Sequence, residues 1–272
     1  MFTALFRKKK MQPWEIPSLP GESASSHKER KRQAYFADQQ ENTLEWMRRM
    51  GFALDVSGMR VLDLGCGHGA LSIRLAEEGA VEVVGVDLDD DRIDFAGRNL
   101  ATRYPHLVGR VSFRCVDVMG MDEPFDLIVS KDSFEHIEDL GRVIRHLHHL
   151  LKPGGYLASG FSPLYYSPFG DHARFQLGVP WAHAVLPESA LVWLLKQRRG
   201  VDVGSAMELG LNRLTPSEFR TILADGLEWG EVQIQYNRGD NPLFPVFNAL
   251  RRAGTVEKYF TTSIYALARK RS

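Results

Sequence analysis

The sequence predicts an α/β fold: a doubly wound, mostly parallel sheet with helices on both faces. Short apolar runs rich in Val, Ile and Leu alternate along the chain with segments whose apolar residues recur at helical spacing. Acidic residues and glycines follow several of these runs. Alternation of this kind is typical of parallel sheets covered on both faces, whose ligands bind beyond the carboxyl ends of the strands.

Composition limits the class of protein. The 272 residues, 44% hydrophobic and 25% charged, fit one large α/β domain or a domain with an elaboration. Equal numbers of basic and acidic residues, 34 each, argue against a nucleic-acid-binding surface over the whole domain. The two cysteines, Cys66 and Cys115, make no disulfide framework and favour a reducing cytoplasm. We expect neither a membrane span nor a secretory leader.

The N-terminus is locally basic, and we expect residues 1–26 to form a flexible arm. Residues 1–32 hold eight Lys or Arg against three Glu, with Phe2, Leu5 and Trp14 among them. A solvated tail is the simpler interpretation. The alternative is peripheral contact with anionic lipid, which would matter for a lipid-borne substrate.

The elements follow in order. One or two helices are predicted at 27–50, and strands at 61–64, 81–86, 111–116, 125–130 and 156–161, with helices between the strands. Residues 163–213 break this rhythm and predict an inserted loop with a helix at 187–199. Thr215-Pro216-Ser217-Glu218 is a capping box that starts a helix. A strand at 232–236, a helix at 244–250 and a last strand at 263–268 close the domain.

The segment Val61-Leu62-Asp63-Leu64-Gly65-Cys66-Gly67-His68-Gly69 is the most informative part of the chain. Glycine tolerates positive φ at a bend and lets a ligand approach the backbone. The helix that follows offers free N–H groups and a positive dipole end. With Asp63 supplying negative charge, the segment suits a zwitterionic, cationic nucleoside better than a bare pyrophosphate. Gly65-x-Gly67-x-x-Ala70 also satisfies the dinucleotide fingerprint, so the motif alone indicates only a nucleotide-like cofactor.

Five features in order resemble class I S-adenosylmethionine-dependent methyltransferases. They are the glycine segment, Asp87 after the second strand, Asp117 after the third, Ser133-Phe134-Glu135-His136 after the fourth, and Leu151-Lys152-Pro153-Gly154-Gly155 before the fifth. The Glu-His pair and the Lys-Pro-Gly-Gly turn resemble the small-molecule branch that includes ubiquinone-pathway O-methyltransferases. The resemblance covers residues 30–162 well and 214–272 loosely. It implies a Rossmann-like sheet of seven strands whose last strand is antiparallel, and S-adenosylmethionine as cofactor.

The resemblance also implies cofactor-binding residues by position. Asp63 would hold the ammonium group, directly or through water. Asp87 would accept hydrogen bonds from both ribose hydroxyls, and Asp117 would accept one from the adenine amino group. The other residues implied to contact the cofactor are Gly65, Cys66, Gly67, Leu88, Val118 and Lys131.

A hydroxyl acceptor usually needs a base that titrates near neutral pH, so histidine is the natural candidate. His136 follows the fourth strand, and His172 and His183 lie in the insert beside aromatic residues. Each could instead have a purely structural role. His136 could be bonded to the backbone, and His172 and His183 could be surface loop residues. The insert is predicted to be a substrate lid, with simple anchoring to the sheet as the alternative. No metal site is expected, because zinc-type cysteine pairing is missing from the sequence.

We expect a small-molecule methyltransferase acting on oxygen, with transfer to carbon or nitrogen of a small metabolite as the alternative and a lipid-linked or glycan acceptor as a further hypothesis. An NAD(P)-binding oxidoreductase would begin its first strand earlier and carry a Tyr-Lys or His constellation downstream. A nucleic-acid methyltransferase would show a basic groove or an Asn-Pro-Pro-aromatic motif, whereas the fourth strand here ends Ser130-Lys131-Asp132-Ser133. A non-catalytic cofactor-binding protein remains an alternative. The sequence leaves the oligomeric state open.

Overall fold

A seven-stranded sheet organises the part of the chain that the structure describes. This computed structural model describes residues 15–272 except 53, 54, 173, 176, 202, 206, 207 and 209. The strands are β1 (Arg60–Leu64), β2 (Glu82–Asp87), β3 (Val111–Cys115), β4 (Phe125–Lys131), β5 (Leu151–Phe161), β6 (Trp229–Tyr236) and β7 (Ile264–Lys270). Their spatial order is β3-β2-β1-β4-β5-β7-β6. The first five are parallel, and β7 runs antiparallel to both of its neighbours. The predicted fold class is therefore confirmed.

Helices cover both faces of the sheet. They are α1 (Ala24–Met50), α2 (Ala70–Glu77), α3 (Asp90–Arg103), α4 (Leu140–Leu150), α5 (Ala182–Val185), α6 (Glu188–Arg199), α7 (Pro216–Ala224) and α8 (Phe244–Leu250). Successive residues of β1 enter different cores: Val61 packs in the core with α1, α2 and α3, whereas Leu62 packs in the core with α4 and α7. Because both faces are covered, the central strands are continuous apolar runs.

The first helix begins earlier than predicted and is unbroken. It starts at Ala24 rather than at residue 27, because the Ser23 hydroxyl accepts a hydrogen bond from the backbone N–H of Ser26 at 3.1 Å and caps the first turn. It ends where Gly51 adopts a left-handed conformation. Residues 1–14 of the predicted arm lie outside the described residues.

Because Pro cannot continue a helix and Gly fits a left-handed cap, the sequence predicts that Lys152-Pro153-Gly154-Gly155 stops the helix before β5. The helix does end just before this segment, but the predicted glycine cap is wrong. α4 passes directly into β5, and its C-cap residue Leu151 has extended backbone. The pairing of β4 with β5 shifts register between Phe125 and Leu127, so the Pro and Gly residues form an irregularity within the strand. A helix stop and a strand irregularity use the same residue types, which the sequence alone does not separate.

The insert between β5 and α7 has a small core of its own. Phe175, Leu191 and Leu195 are each at most 2% exposed and pack together. The helix predicted at 187–199 is confirmed as α6, and the capping box at Thr215 is formed as expected. The Trp181 indole N–H donates to the Tyr259 carbonyl at 2.9 Å, and this contact anchors the insert to the segment before β7.

Helix α1 crosses the edge of the sheet at which the parallel strands end. Near the end of β4, the Lys131 ammonium group donates to the Gln39 side-chain oxygen at 2.7 Å. Near the end of β5, the Trp46 indole N–H donates to the Gly160 carbonyl at 2.8 Å. The carboxyl edge is therefore closed on one side by α1, and the candidate site lies at this edge.

Candidate active site

The glycine turn joins β1 to α2 and leaves open space over its middle residue. The N–H groups of Gly65 and Cys66 both donate to the Val86 carbonyl, at 2.9 and 3.0 Å, and hold the turn against β2. Gly65 has φ +74°, and a Cβ there would lie 2.1 Å from the Ser133 hydroxyl oxygen. Gly67 has φ +54°, and a Cβ there would meet no atom within 4 Å. The backbone at Gly67 is thus free for close approach by a ligand.

Asp87 fixes the other side of this opening. One carboxylate oxygen accepts a hydrogen bond from the Gly67 N–H at 2.9 Å, and the other accepts one from the Asp89 N–H at 3.0 Å. A carboxylate oxygen can accept a second hydrogen bond, so Asp87 retains acceptor capacity for a ligand. This contact joins the glycine turn to Asp87, two features that the sequence predicts at the carboxyl ends of neighbouring strands.

Asp63 lies beneath the turn and is 1% exposed. It accepts a hydrogen bond from the Ser72 hydroxyl at 2.6 Å. Burial raises the pKa of Asp63 to about 6, against the lowering effects of that hydrogen bond and of the Lys131 charge. A cation bound nearby would stabilise the ionised form of Asp63. The ammonium group of a cofactor, which Asp63 is expected to hold, would be such a cation.

The other predicted cofactor residues differ in their exposure. Leu88 is 75% exposed, whereas Val118 and Cys66 are buried. Burial raises the pKa of the Cys66 thiol, which is therefore neutral at physiological pH. Asp117 is exposed and accepts a hydrogen bond from the Met119 N–H at 2.9 Å. These roles in binding stay predictions.

The structure brings two of the three candidate histidines together. The rings of His136 and His172 meet edge to face, with centroids 5.2 Å apart. His136 Nδ1 lies 2.6 Å from the Gly210 carbonyl, and His172 Nε2 lies 2.8 Å from the Pro163 carbonyl. A carbonyl only accepts, so these nitrogens carry the protons, and in the neutral rings His136 Nε2 and His172 Nδ1 are basic. Burial lowers the pKa of His172 to about 4 and keeps that ring neutral.

His183 is placed differently. It is 3% exposed, its Nε2 lies 2.5 Å from the Tyr165 carbonyl, and its ring packs edge to face against the Tyr165 ring. An enclosed ring held by a backbone carbonyl has no open path to an acceptor. This geometry supports the structural alternative for His183, so we do not assign it as a base.

Sequence reasoning gave no site role to three further residues near this edge, His68, Tyr35 and Glu135. The His68 ring lies between Tyr35 and Phe95, at centroid distances of 4.7 and 5.0 Å, and burial lowers its pKa to about 4. Its Nδ1 is buried and has no hydrogen-bond partner among the described residues. Its position inside the glycine motif was a usable signal. Tyr35 could be predicted only as an apolar contact of a helix.

Glu135 is the third of these residues. It is 4% exposed, and both carboxylate oxygens are buried without a hydrogen-bond partner in the described parts of the chain. Burial, reinforced by the charge of Asp132, raises its pKa well above the usual range. Its main chain is held by the end of the insert, because the Asn212 N–H donates to the Glu135 carbonyl at 3.0 Å.

The described residues contain no cluster of three or more His, Cys, Asp or Glu that could hold a metal ion.

Comparison with known proteins gives the decisive observation: residues 55–163 match the family described as methyltransferase domain. Residues 55–163 of this chain are a methyltransferase domain. The match spans the glycine turn, Asp87, Asp117 and the loop with Glu135 and His136, and it confirms the resemblance to S-adenosylmethionine-dependent methyltransferases.

Curated relatives of the methyltransferase domain act on small molecules by name. The chain is 35% identical over 120 residues to 27-O-demethylrifamycin SV methyltransferase of Amycolatopsis mediterranei, covering 43% of each chain. It is 35% identical over 107 residues to ubiquinone biosynthesis O-methyltransferase of Coxiella burnetii, covering 38% of this chain and 44% of that protein. It is 38% identical over 104 residues to phosphoethanolamine N-methyltransferase 3 of Arabidopsis thaliana, covering 36% and 20%. The chain thus matches less than half the length of these relatives.

Solved structures share the fold of this domain. Phosphoethanolamine N-methyltransferase 2 of Haemonchus contortus, in complex with S-adenosyl-L-methionine, has a TM-score of 0.55 at 18% identity, covering 85% of this chain and 53% of that one. The [4+2]-cyclase SpnF has a TM-score of 0.52 at 21% identity, covering 88% and 82%. A fold shared with a cyclase does not determine the reaction, which has to be argued from the site.

Proposed function

We propose that this protein transfers a methyl group from S-adenosylmethionine to a hydroxyl group of a small-molecule acceptor. The observation that carries the proposal is the contact between His136, which follows β4, and His172, in the insert after β5, at the sheet edge that also carries the glycine turn and Asp87. The O-methyltransferase relatives support oxygen as the acceptor atom. The N-methyltransferase relative supports a nitrogen acceptor as the second candidate.

The residues present fit the cofactor. Open space over Gly67 admits a ligand against the backbone, and Asp87 has acceptor capacity for the ribose hydroxyls. Asp63 supplies the buried negative charge that favours an ammonium group. When bound, S-adenosylmethionine supplies an electrophilic methyl group.

The protein's own task is to orient the acceptor and remove its proton. His136 is held by the Gly210 carbonyl so that Nε2 is left as an acceptor, and it is exposed at the edge of the sheet. We assign His136 Nε2 as the base that takes the hydroxyl proton. The neighbouring His172 ring limits the orientation of His136 through their edge-to-face contact. Orientation of the two reactants supplies a large share of the rate in such transfers.

The insert completes this site, which supports its predicted role as a lid. It provides His172, and its last residues hold the loop that carries His136. The Asn212 side-chain amide donates to the carbonyls of Phe134 and Ile137, at 2.6 and 2.8 Å. Closure over an apolar or ring-bearing acceptor would exclude water from the transfer. A cytoplasmic location, expected from the two cysteines, stays a prediction.

The test is turnover with isotopically labelled S-adenosylmethionine and a panel of phenols, aliphatic alcohols and amines, with products identified by mass spectrometry. We expect O-methylated product, and we expect His136→Gln to lower kcat by about 100-fold while the affinity for S-adenosylhomocysteine is unchanged. His183→Gln is the matched control, and its main effect should be on thermal stability. Full activity of His136→Gln would remove the base assignment, and product methylated only at nitrogen would favour the second candidate.

A further inference from the structure

Helix α8 has apolar side chains on both of its faces. On its inner side Phe247 is 7% exposed and packs edge to face on Phe260, at a centroid distance of 5.4 Å. On its outer side Leu243, Val246 and Leu250 are 53%, 54% and 41% exposed. Their spacing of three and four residues places them on one face of the helix. A surface helix normally exposes polar residues there, so something apolar is expected to cover this face.

The charge around this outer face is positive. Residues 241–256 contain no Asp or Glu and include Arg251 and Arg252, and the exposed acid that borders them is Asp240. Arg251 is half-buried on Glu257, whereas Arg252 is exposed, as is Arg238 before the helix. The exposed residues from 242 to 253 are therefore apolar with one exception, Arg252. An apolar helix face bordered by arginine and free of acids is typical of helices that lie in a membrane interface.

The insert packs on the inner side of the same helix and has exposed valines of its own. The Trp181 ring packs on Phe247 and Phe260, at centroid distances of 6.1 and 5.8 Å, and joins α5 to α8. Next to it, Val179 and Val185 are 60% and 77% exposed. Scattered exposed aliphatic residues need no explanation, but a contiguous group at one side of a protein indicates an interaction site.

We propose that the outer face of α8, defined by Leu243, Val246 and Leu250, docks on an anionic lipid surface. Two partners could cover this face, a membrane or a second copy of the chain, and the charge of the face favours the membrane. A two-fold contact through the face would bring each Arg252 towards its own copy, and the acid next to the helix along the chain, Asp240, already has the exposed Arg238 two residues before it. Anionic headgroups are complementary to the same arginines.

No helix among the described residues is long and apolar enough to cross a membrane, so the contact would be peripheral. A single weak contact gives only marginal binding, and stable attachment takes a second signal. Residues 1–10 have a suitable composition, with Phe2, Leu5 and Phe6 followed by Lys8, Lys9 and Lys10. This proposal is independent of the proposed chemistry, because it needs neither cofactor nor acceptor.

The experiment is flotation of the full chain with vesicles containing about one-third phosphatidylglycerol in phosphatidylcholine, and with phosphatidylcholine vesicles alone. We expect binding to the anionic vesicles that weakens with added salt. The triple variant Leu243→Ser, Val246→Ser, Leu250→Ser should bind the anionic vesicles about tenfold less, because membrane affinity scales with the buried apolar area. A matched control changes three exposed valines elsewhere to Ser, Val81, Val108 and Val232, and should bind as the parent chain does.

Three outcomes would overturn the proposal. The first is the absence of binding by the parent chain, and the second is equal binding by the triple variant and the parent. In the third, light scattering shows that the parent chain is a dimer, the triple substitution disrupts this dimer, and no vesicle binding is seen. That result would assign the face to contact with a second copy of the chain. Deletion of residues 1–14 separates the two signals: if it alone abolishes binding and the triple variant has no effect, α8 does not contact lipid. Circular dichroism and thermal unfolding of each variant confirm that it is folded.

Discussion

The two central glycines of the turn have different roles, although both need a left-handed backbone. There is no room for a side chain at Gly65, because the Ser133 hydroxyl occupies the space where its Cβ would lie. Gly67 faces open space, and its N–H is bound by Asp87. The first therefore serves the fold, and we assign the second to ligand approach.

We expect Gly67→Ala to fold with a loss of roughly 1–2 kcal/mol, which is the cost of the left-handed backbone. Its affinity for S-adenosylhomocysteine should fall much further, since the new methyl group occupies the ligand space. Gly65→Ala should lose about 3 kcal/mol or more, because overpacking adds to the backbone cost. Urea unfolding and calorimetric titration of both variants check this contrast. Equal ligand affinity of Gly67→Ala and the parent chain would contradict it.

The raised pKa of Asp63 makes stability depend on pH. The pKa is about 6 in the folded protein, compared with an ordinary value of 3.8. Between these values the folded state holds a proton that the unfolded state has released, so the free energy of unfolding falls as pH rises from about 4 to about 6. The expected fall from this group is about 3 kcal/mol.

Asp63→Asn removes this titration while keeping an oxygen for the Ser72 hydroxyl. We expect the variant to be more stable than the parent at pH 7 and to lack that part of the fall between pH 4 and 6. Glu135 also has a raised pKa but is present in both proteins, so the difference between the two stability curves isolates Asp63. Urea unfolding across this pH range is the measurement, and parallel curves for the two proteins would refute the assignment.

At the scale of single residues, sequence reasoning located the strand-end acids well. Asp63, Asp87 and Asp117 stand next to apolar runs, and local patterning places them at the carboxyl edge. The pairing of His136 with His172 and the burial of His183 depend on contacts between distant segments. The carbonyls that fix these rings belong to residues 9, 18 and 74 positions away along the chain, which no local pattern reveals.

At the scale of elements, α1 is the feature that most affects the site. It touches the ends of β4 and β5 through Gln39 and Trp46. The sequence predicted a helix here but not its place, because a helix before the first strand can pack on either face. Its position closes one side of the carboxyl edge and brings Tyr35 beside His68.

Trp46→Phe tests the docking of α1. The substitution keeps an aromatic ring but removes a buried hydrogen bond to the Gly160 carbonyl, which still accepts from the Asp132 N–H at 2.9 Å. We expect a loss of about 1–2 kcal/mol in unfolding free energy and faster amide exchange in α1. Leu44→Ala changes an exposed residue of the same helix and should alter neither quantity by much. Unchanged exchange in Trp46→Phe would mean that α1 is held by its other contacts.

At the scale of the whole molecule, the fold class and the cofactor class were predictable, whereas the strand order and the acceptor were not. The sheet follows from alternating patterns that recur along residues 60–161, and the antiparallel β7 followed from family resemblance. The insert has few such patterns, and its residues meet the site through the long-range contacts of His172 and Asn212. If this insert covers the acceptor, as we propose, acceptor choice is the least predictable part of the function.

The central claim is that the glycine turn and Asp87 bind S-adenosylmethionine. Calorimetric titration of the full chain with S-adenosylmethionine and, separately, with NADH tests it most directly. We expect binding of S-adenosylmethionine only, weakened by about tenfold or more in Asp87→Ala, which loses charge-assisted hydrogen bonds, and unchanged in the exposed control Asp94→Ala. Binding of NADH instead, or equal affinity of Asp87→Ala and the parent chain for S-adenosylmethionine, would contradict the account.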